Sequence, residues 1–288
     1  MTGFTLSTSA VPYLHHATTT TRVRHGFFGT AGGVSSGVYA SLNCGFGSGD
    51  DTALVAQNRD LVRTEMGLEP GRMAAVHQVH GRDAVMAEDL FDDTGALLER
   101  DSLPRADGLV TRTAGIGLSI LTADCLPLLL ADEQGLVAGA CHAGWRGAAA
   151  GIVGATVALM RDQGAGRITA LIGPTIQQPS YQVGGDMRAQ CLDSVAAPIR
   201  DLAASCFIVE GQDHYRFDLP RLVRYQLASE DVAQVLDCGV DTYQAPARDG
   251  AGPAGTAPES SGYFSHRRAT HAREPDCGRQ IAVIALTG

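Results

Sequence analysis

Apolar positions along the chain change period several times, and the changes outline the elements. Over residues 52–66, Leu54, Val55, Leu61, Val62 and Met66 fall near helical spacing, with Gly67 where a C-terminal cap belongs, so the pattern predicts a helix there. In the centre, short apolar runs at 117–121, 127–131 and 136–141 have the length and flanks of buried strands, the last following the turn DEQG and closed by His142. After the tight GWRG passage, residues 148–160 (AAAGIVGATVALM) are apolar at helical spacing until Arg161 and Gly164, which predicts one buried helix. Further on, the pattern predicts a strand at 168–172 ending in GPTI, a helix within 185–198, and a closing strand at 280–286. A helix over 219–229 takes Asp218 as its N-cap and Pro220 at its first position. Residues 25–43 are dense in Gly and Ser and read as a loop that something packs against. Residues 245–261 (APARDGAGPAGTAPESS) lack apolar periodicity and read as a mobile surface loop. Strands and helices are interspersed, and neither a linker nor an internal repeat divides them, so residues 1–288 read as a single α/β domain.

Composition narrows the chemistry. The chain has 288 residues, enough for a large core, and no apolar run of membrane-spanning length. All 22 basic residues are Arg and none is Lys, which excludes Schiff-base, pyridoxal phosphate and P-loop lysine mechanisms. A net charge of −9 without a basic block argues against a nucleic-acid partner, so anionic substrates must be met locally by Arg. The seven cysteines (Cys44, Cys125, Cys141, Cys191, Cys206, Cys238 and Cys277) are scattered and never form CxxC, which favours reduced thiols. The first thirty residues carry no apolar signal region, so the expected compartment is the cytoplasm.

Three segments set metal-competent or nucleophilic side chains beside glycines and strand ends: HQVHG (77–81), TADC (122–125) and CHAGWRG (141–147). Two imidazoles and a thiolate make a tetrahedral zinc shell with one position open, the arrangement of a catalytic site. If HQVHG ends a strand, His77 and His80 face opposite ways, and Gly81 leaves room around His80. By the same alternation Cys141 turns from His142 into a packed interior, leaving Cys125, in the break before Pro127, as the preferred thiolate. Each residue alone has a plainer reading, a buried cysteine as a small hydrophobe and a histidine as a hydrogen-bonded support, and spacing leaves the two readings evenly matched. Arg146, Arg267 and Arg268 are candidate contacts to phosphate, although a helix brace and a solvated pair are the plainer roles. Trp145 reads as packing with base stacking as the alternative. Asp124 could orient a ligand, and Asp107 in ADGLV reads at least equally as a turn.

At these residues the chain resembles the laccase-domain family, also called multicopper polyphenol oxidase-like or peptidoglycan-editing-factor proteins, whose members act as purine nucleoside phosphorylases. The resemblance covers nearly the whole chain. It runs through HGFFGTAGGVSSGVYASLNCG with GDD and NR downstream, HQVHG, ADGLVT, LTADCLPLLL, GACHAGWRG, IGPTI, YQVG, YFSHRR and GRQIAVI. It implies a layered α-β-β-α sandwich with mixed sheets. It also implies a zinc ion held by His80, Cys125 and His142, with Asn43 of the first loop added to Arg146, Arg267 and Arg268 as substrate contacts. The implied activity is phosphorolysis of adenosine, inosine and S-methyl-5′-thioadenosine, together with deamination of adenosine. Two departures stand out: Phe28, Gly29, Thr30 and Ala31 precede GGVS where the family usually carries an Arg, and Asp241, Thr242 and Tyr243 replace a common CTY.

Rival expectations come from other classes. A copper phenol oxidase would draw on HxH pairs, and nine histidines here include none, so copper remains an alternative occupant of the His2Cys site rather than a cluster. A metal-free cysteine hydrolase would use Cys125 as nucleophile and His142 as base. A cell-wall precursor-binding protein would bind without turnover.

Overall fold

A computed structural model describes residues 3–17, 20–244 and 262–288; the loop expected at 245–261 lies outside them. With strands and helices numbered in chain order, the first sheet runs β1 (Phe4–Leu6), β2 (Tyr13–His16), β3 (Val23–Phe28), β15 (Gln280–Leu286), β7 (Gly117–Thr122) and β4 (Met73–Ala74). The second runs β14 (Gln234–Asp237), β10 (Ile168–Ile172), β8 (Leu126–Asp132), β9 (Ala138–Ala143), β6 (Gly108–Thr111) and β5 (Ala84–Met86). Both are mixed: β4 joins β7, β14 joins β10 and β5 joins β6 in parallel, and the other pairings are antiparallel. A small sheet of β11 (Gln182–Gly184), β13 (His214–Phe217) and β12 (Phe207–Gly211) flanks them. The helices are α1 (Thr52–Glu65), α2 (Trp145–Ala150), α3 (Ile152–Asp162), α4 (Gly185–Ser194), α5 (Arg200–Ala204), α6 (Leu219–Ser229) and α7 (His266–Ala272).

Strand alternation sorts the apolar side chains into layers. On β15, Ile281, Val283 and Ala285 turn toward Val62 and Met66 at the α1 side, whereas Ala282 and Ile284 turn inward. There they meet Leu129 and Ala131 of β8 and Ala138 and Ala140 of β9. The opposite face of β8, Leu126, Leu128 and Leu130, packs on Ile152, Val153, Val157 and Met160 of α3 and on α6. The order is therefore helix, sheet, sheet, helices. A fully buried Leu contributes about 1.5–3 kcal/mol on leaving water, so the apolar inner faces hold the two sheets together.

Local signals explain the helix ends. The Asp51 side chain accepts from the Ala53 N–H and begins α1; Gly67, in the left-handed region (φ 65°), follows its end. Asp218 accepts from the Arg221 N–H and begins α6, where Pro220 is the second helical residue rather than the first. The single helix expected over 148–160 is two: α2 starts at Trp145, and Gly151 (φ 98°) breaks the ladder before α3.

Candidate metal centre and cleft

The chain crosses from the first sheet to the second between β4 and β5 and again between β7 and β8, and the crossings carry His80 and Cys125. HQVHG is not a strand end. His77 makes one isolated bridge to Arg105, and the chain then turns through His80 in the left-handed region (φ 59°), so a turn, not strand alternation, aims His80. That turn is held by Asp107, which is fully buried and accepts from the N–H groups of Val79 (3.1 Å), His80 (3.0 Å) and Gly81 (2.6 Å). The turn signal in ADGLV thus conceals a support for the site. Cys125 follows Asp124, another left-handed residue (φ 85°). The Asp124 carboxylate accepts from Thr242 Oγ1 (2.6 Å) and the Arg267 N–H (2.7 Å), and its carbonyl from Thr175 Oγ1 (2.7 Å). These bonds tie the Cys125 turn to the start of α7. His142 lies on β9, and its neighbour Cys141 turns to the helix side, as alternation predicts.

The ligand atoms of His80, Cys125 and His142 lie within 4.8 Å of one another, with Cys125 Sγ 3.8 Å from His80 Nε2. Tetrahedral zinc, with bonds of about 2.0–2.3 Å, needs ligand separations near 3.5 Å, so small side-chain movements complete the shell. His142 Nδ1 stands 2.8 Å from Asp107 Oδ1, and donation there leaves Nε2 free for a metal. Gly144 completes the fit, because a Cβ at that position would lie 2.8 Å from His80 Cδ2 and 3.1 Å from Cys125 Sγ. The donor set and its support suit a metal ion.

Electrostatics distinguish Cys125 from the other cysteines. Burial pushes the thiols of Cys44, Cys141, Cys206 and Cys238 up to about 12. Burial also pushes Cys125 up, but His142 and His80 outweigh it and bring the thiol down to about 6. Burial pulls His142 down, and the Cys125 thiolate with Asp107 overcomes this and raises it to about 9. Burial raises the Asp107 carboxyl, yet His142 and the N–H groups of Gly81 and Val79 hold it below its ordinary value. The two shifts are coupled and opposite in sign, and each favours the charged form, thiolate at Cys125 and imidazolium at His142.

These side chains border a cleft of about 830 Å³. Arg267 lines it, with its guanidinium over Tyr181 and donating to the Gln182 carbonyl (2.8 Å). The other residues expected at substrate stand outside the lining. Arg146 is exposed and stacks on Trp145, whose ring packs against the α2–α3 side. Arg268 gives its donors to the carbonyls of Thr242, Tyr243 and Tyr263 and so braces the start of α7. Asn43 is buried and accepts from the Gly45 and Arg279 N–H groups while donating to Ser48 and Asp50, which shapes the loop behind the cleft. Among the departures from the family pattern, Thr30 is buried away from the cleft, and Asp241 accepts from Ser180 Oγ (2.6 Å) and the Gln177 and Tyr243 N–H groups. The sequence assigned no role to Arg59, Arg100, Gln78, Tyr181 and His266, which also line the cleft. Of these, Gln78 is fixed by a two-point bond to the Leu121 backbone (2.8 and 2.9 Å).

Comparisons with known proteins agree with this architecture. The family described as multi-copper polyphenol oxidoreductase laccase matches residues 24–287. A purine nucleoside phosphorylase of Escherichia coli is 33 % identical over 88 % of this chain and 90 % of its own length. One of Streptomyces coelicolor is 41 % identical over 57 % of this chain, and the match spans 66 % of that relative. A Neisseria meningitidis protein of solved structure superposes with a TM-score of 0.77 at 29 % identity, over 99 % of this chain and 100 % of the other. A Geobacillus stearothermophilus structure gives 0.78 at 27 % identity, over 99 % of each chain. With nearly its full length matched, the chain belongs to the multi-copper polyphenol oxidoreductase laccase family.

Proposed function

We propose that the protein is a purine nucleoside phosphorylase whose reaction takes place in the cleft beside His80, Cys125 and His142. The reading extends to adenosine, inosine and S-methyl-5′-thioadenosine as substrates, to adenosine deamination as a second reaction, and to zinc as the metal. The observation that carries it is the convergence of three metal-competent side chains at a cleft of nucleoside-accommodating size, in a chain similar to proteins named purine nucleoside phosphorylase. His80, Cys125 and His142 would hold the zinc, which supplies Lewis acidity and lowers the pKa of bound water. Asp107 orients His142 and fixes the His80 turn, and Asp124 fixes the Cys125 turn against Arg267. In phosphorolysis a phosphate oxygen bonds to the ribose anomeric carbon as the bond to the base nitrogen breaks, leaving base and ribose 1-phosphate. Arginines of the lining offset the phosphate charge, and the apolar walls at Met73, Val76 and Leu103 exclude water that would compete with phosphate.

The test is incubation of metal-loaded protein with adenosine, with and without phosphate, and chromatography of the products. Adenine and ribose 1-phosphate formed only with phosphate, or inosine formed without it, support the reading. No product in either tube refutes it.

A further inference from the structure

The cleft is cationic within an acidic protein. Five arginines line it against two aspartates, in a chain of net charge −9. Two of the five face carboxylates: Arg63 pairs with Asp60 (2.6 Å) and Arg279 lies 3.7 Å from Asp276; Arg267 donates to the Gln182 carbonyl and lies over Tyr181 beside the metal centre. Arg59 and Arg100 share one aromatic support. Neither has a carboxylate partner among the described residues, and both guanidinium carbons sit over the Phe46 ring, at 5.5 and 5.6 Å from its centroid. Arg59 gives one N–H to the Cys44 carbonyl (3.3 Å), which turns its head toward the loop carrying Phe46, and its other four donors have no partner among the described residues. Arg100 makes no side-chain hydrogen bond within the described residues. The ring fixes both heads without consuming donors.

We propose that Arg59 and Arg100, held on Phe46, form an oxyanion subsite of the cleft that takes a phosphoryl group, either as inorganic phosphate or carried on the nucleoside. Planar guanidinium groups match the tetrahedral oxyanion two donors at a time, and two uncompensated cations match its double charge. The identity of the ligand rests on the phosphorylase reading, whereas the presence of an anion subsite rests on the geometry alone.

The experiment titrates inorganic phosphate into the full-length protein by calorimetry, and repeats it with Arg59→Met, Arg100→Met and the double variant. Melting temperature serves as the control for folding. Phosphate affinity should fall about ten- to hundredfold in each single variant, as expected for lost charge-assisted hydrogen bonds. In phosphorolysis the KM for phosphate should rise while the KM for nucleoside holds. Arg100→Met keeps the test decisive even if Arg59→Met fails to fold. A second titration uses adenosine and adenosine monophosphate. If the variants weaken the monophosphate and leave inorganic phosphate unchanged, the phosphoryl group is the substrate's own. If folded variants bind both phosphates as the parent does, the proposal is overturned, whatever the activity. Phosphate binding that depends on these arginines in a protein without phosphorolysis keeps the subsite and sinks the phosphorylase reading instead.

Discussion

Asp107→Asn should loosen two ligand segments at once. Asp107 is a fully buried carboxylate with four donors: Oδ1 serves the His80 N–H and His142 Nδ1, and Oδ2 serves the Val79 and Gly81 N–H groups. An asparagine keeps the shape but supplies one oxygen, so either orientation presents an NH2 group to two donors. Each unsatisfied buried donor costs about 1–3 kcal/mol, and some relaxation is expected, so the loss should be about 2–4 kcal/mol. At roughly 2–4 °C per kcal/mol, the melting temperature should drop by several degrees. Loss of a carboxylate behind a histidine ligand lowers metal affinity by about 10–100-fold. Competition against a chelator, read beside thermal melts with and without zinc, measures both effects. Asp107→Glu, which retains the charge but lengthens the arm, should also fail to restore the metal, because the turn N–H groups fix the carboxylate position. A variant Asp107→Asn with parental melting and parental zinc affinity would refute the account of Asp107 as the common support of His80 and His142.

Other outcomes follow from the same geometry. His80→Ala should release the metal and abolish nucleoside turnover together, while a metal-free hydrolase using Cys125 and His142 would largely survive it; metal content and product assays on one preparation decide. Gly144→Ala places a methyl against His80 and Cys125 and should weaken metal binding about ten- to hundredfold with the fold retained, as checked by metal titration and circular dichroism. Zinc affinity should rise with pH between about 6 and 9: Cys125 (about 6) is already thiolate there, whereas His142 (about 9) must give up a proton to bind. The sign follows from His142 being protonated below its own pKa, and calorimetry in buffers of different ionisation enthalpy should find close to one proton released at neutral pH. Asp107, held below the usual carboxylate range, contributes stability that is full at neutral pH and is lost only as pH falls below about 4 through its lowered pKa; an acid melt of Asp107→Asn against the parent measures it.

Much of the layering was legible because the central strands and α1 carry clean apolar periods, and the layered sandwich implied by the resemblance is what the sheets form. The meeting of His80, Cys125 and His142 was also foreshadowed, by glycines and strand ends, although His80 is aimed by a turn that alternation does not describe. Asp107 was hidden because its role depends on register. Gly108 pairs with Cys141 across the antiparallel β6–β9 ladder, which sets Asp107 opposite His142, and no local pattern encodes that pairing. Arg59 falls in the NR pair of the family pattern, yet neither it nor Arg100 could be given a role until Phe46 is seen beneath both. Gly151 lay inside an apolar helical run, where its left-handed backbone could not be distinguished from a tolerated glycine.

The two crossings between sheets have a consequence for cooperativity. One delivers His80, the other Cys125, and β9 of the second sheet brings His142. An ion bound by all three is a rivet through both sheets, and neither sheet can separate from the other while it is held. At a free concentration of a hundred times Kd, such binding adds about 2.7 kcal/mol to the cost of unfolding. That increment falls on the docking of the sheets and not on a single element, so slow amide exchange should spread together through β7, β8, β9 and β15 on metal addition, joining two layers into one unfolding unit.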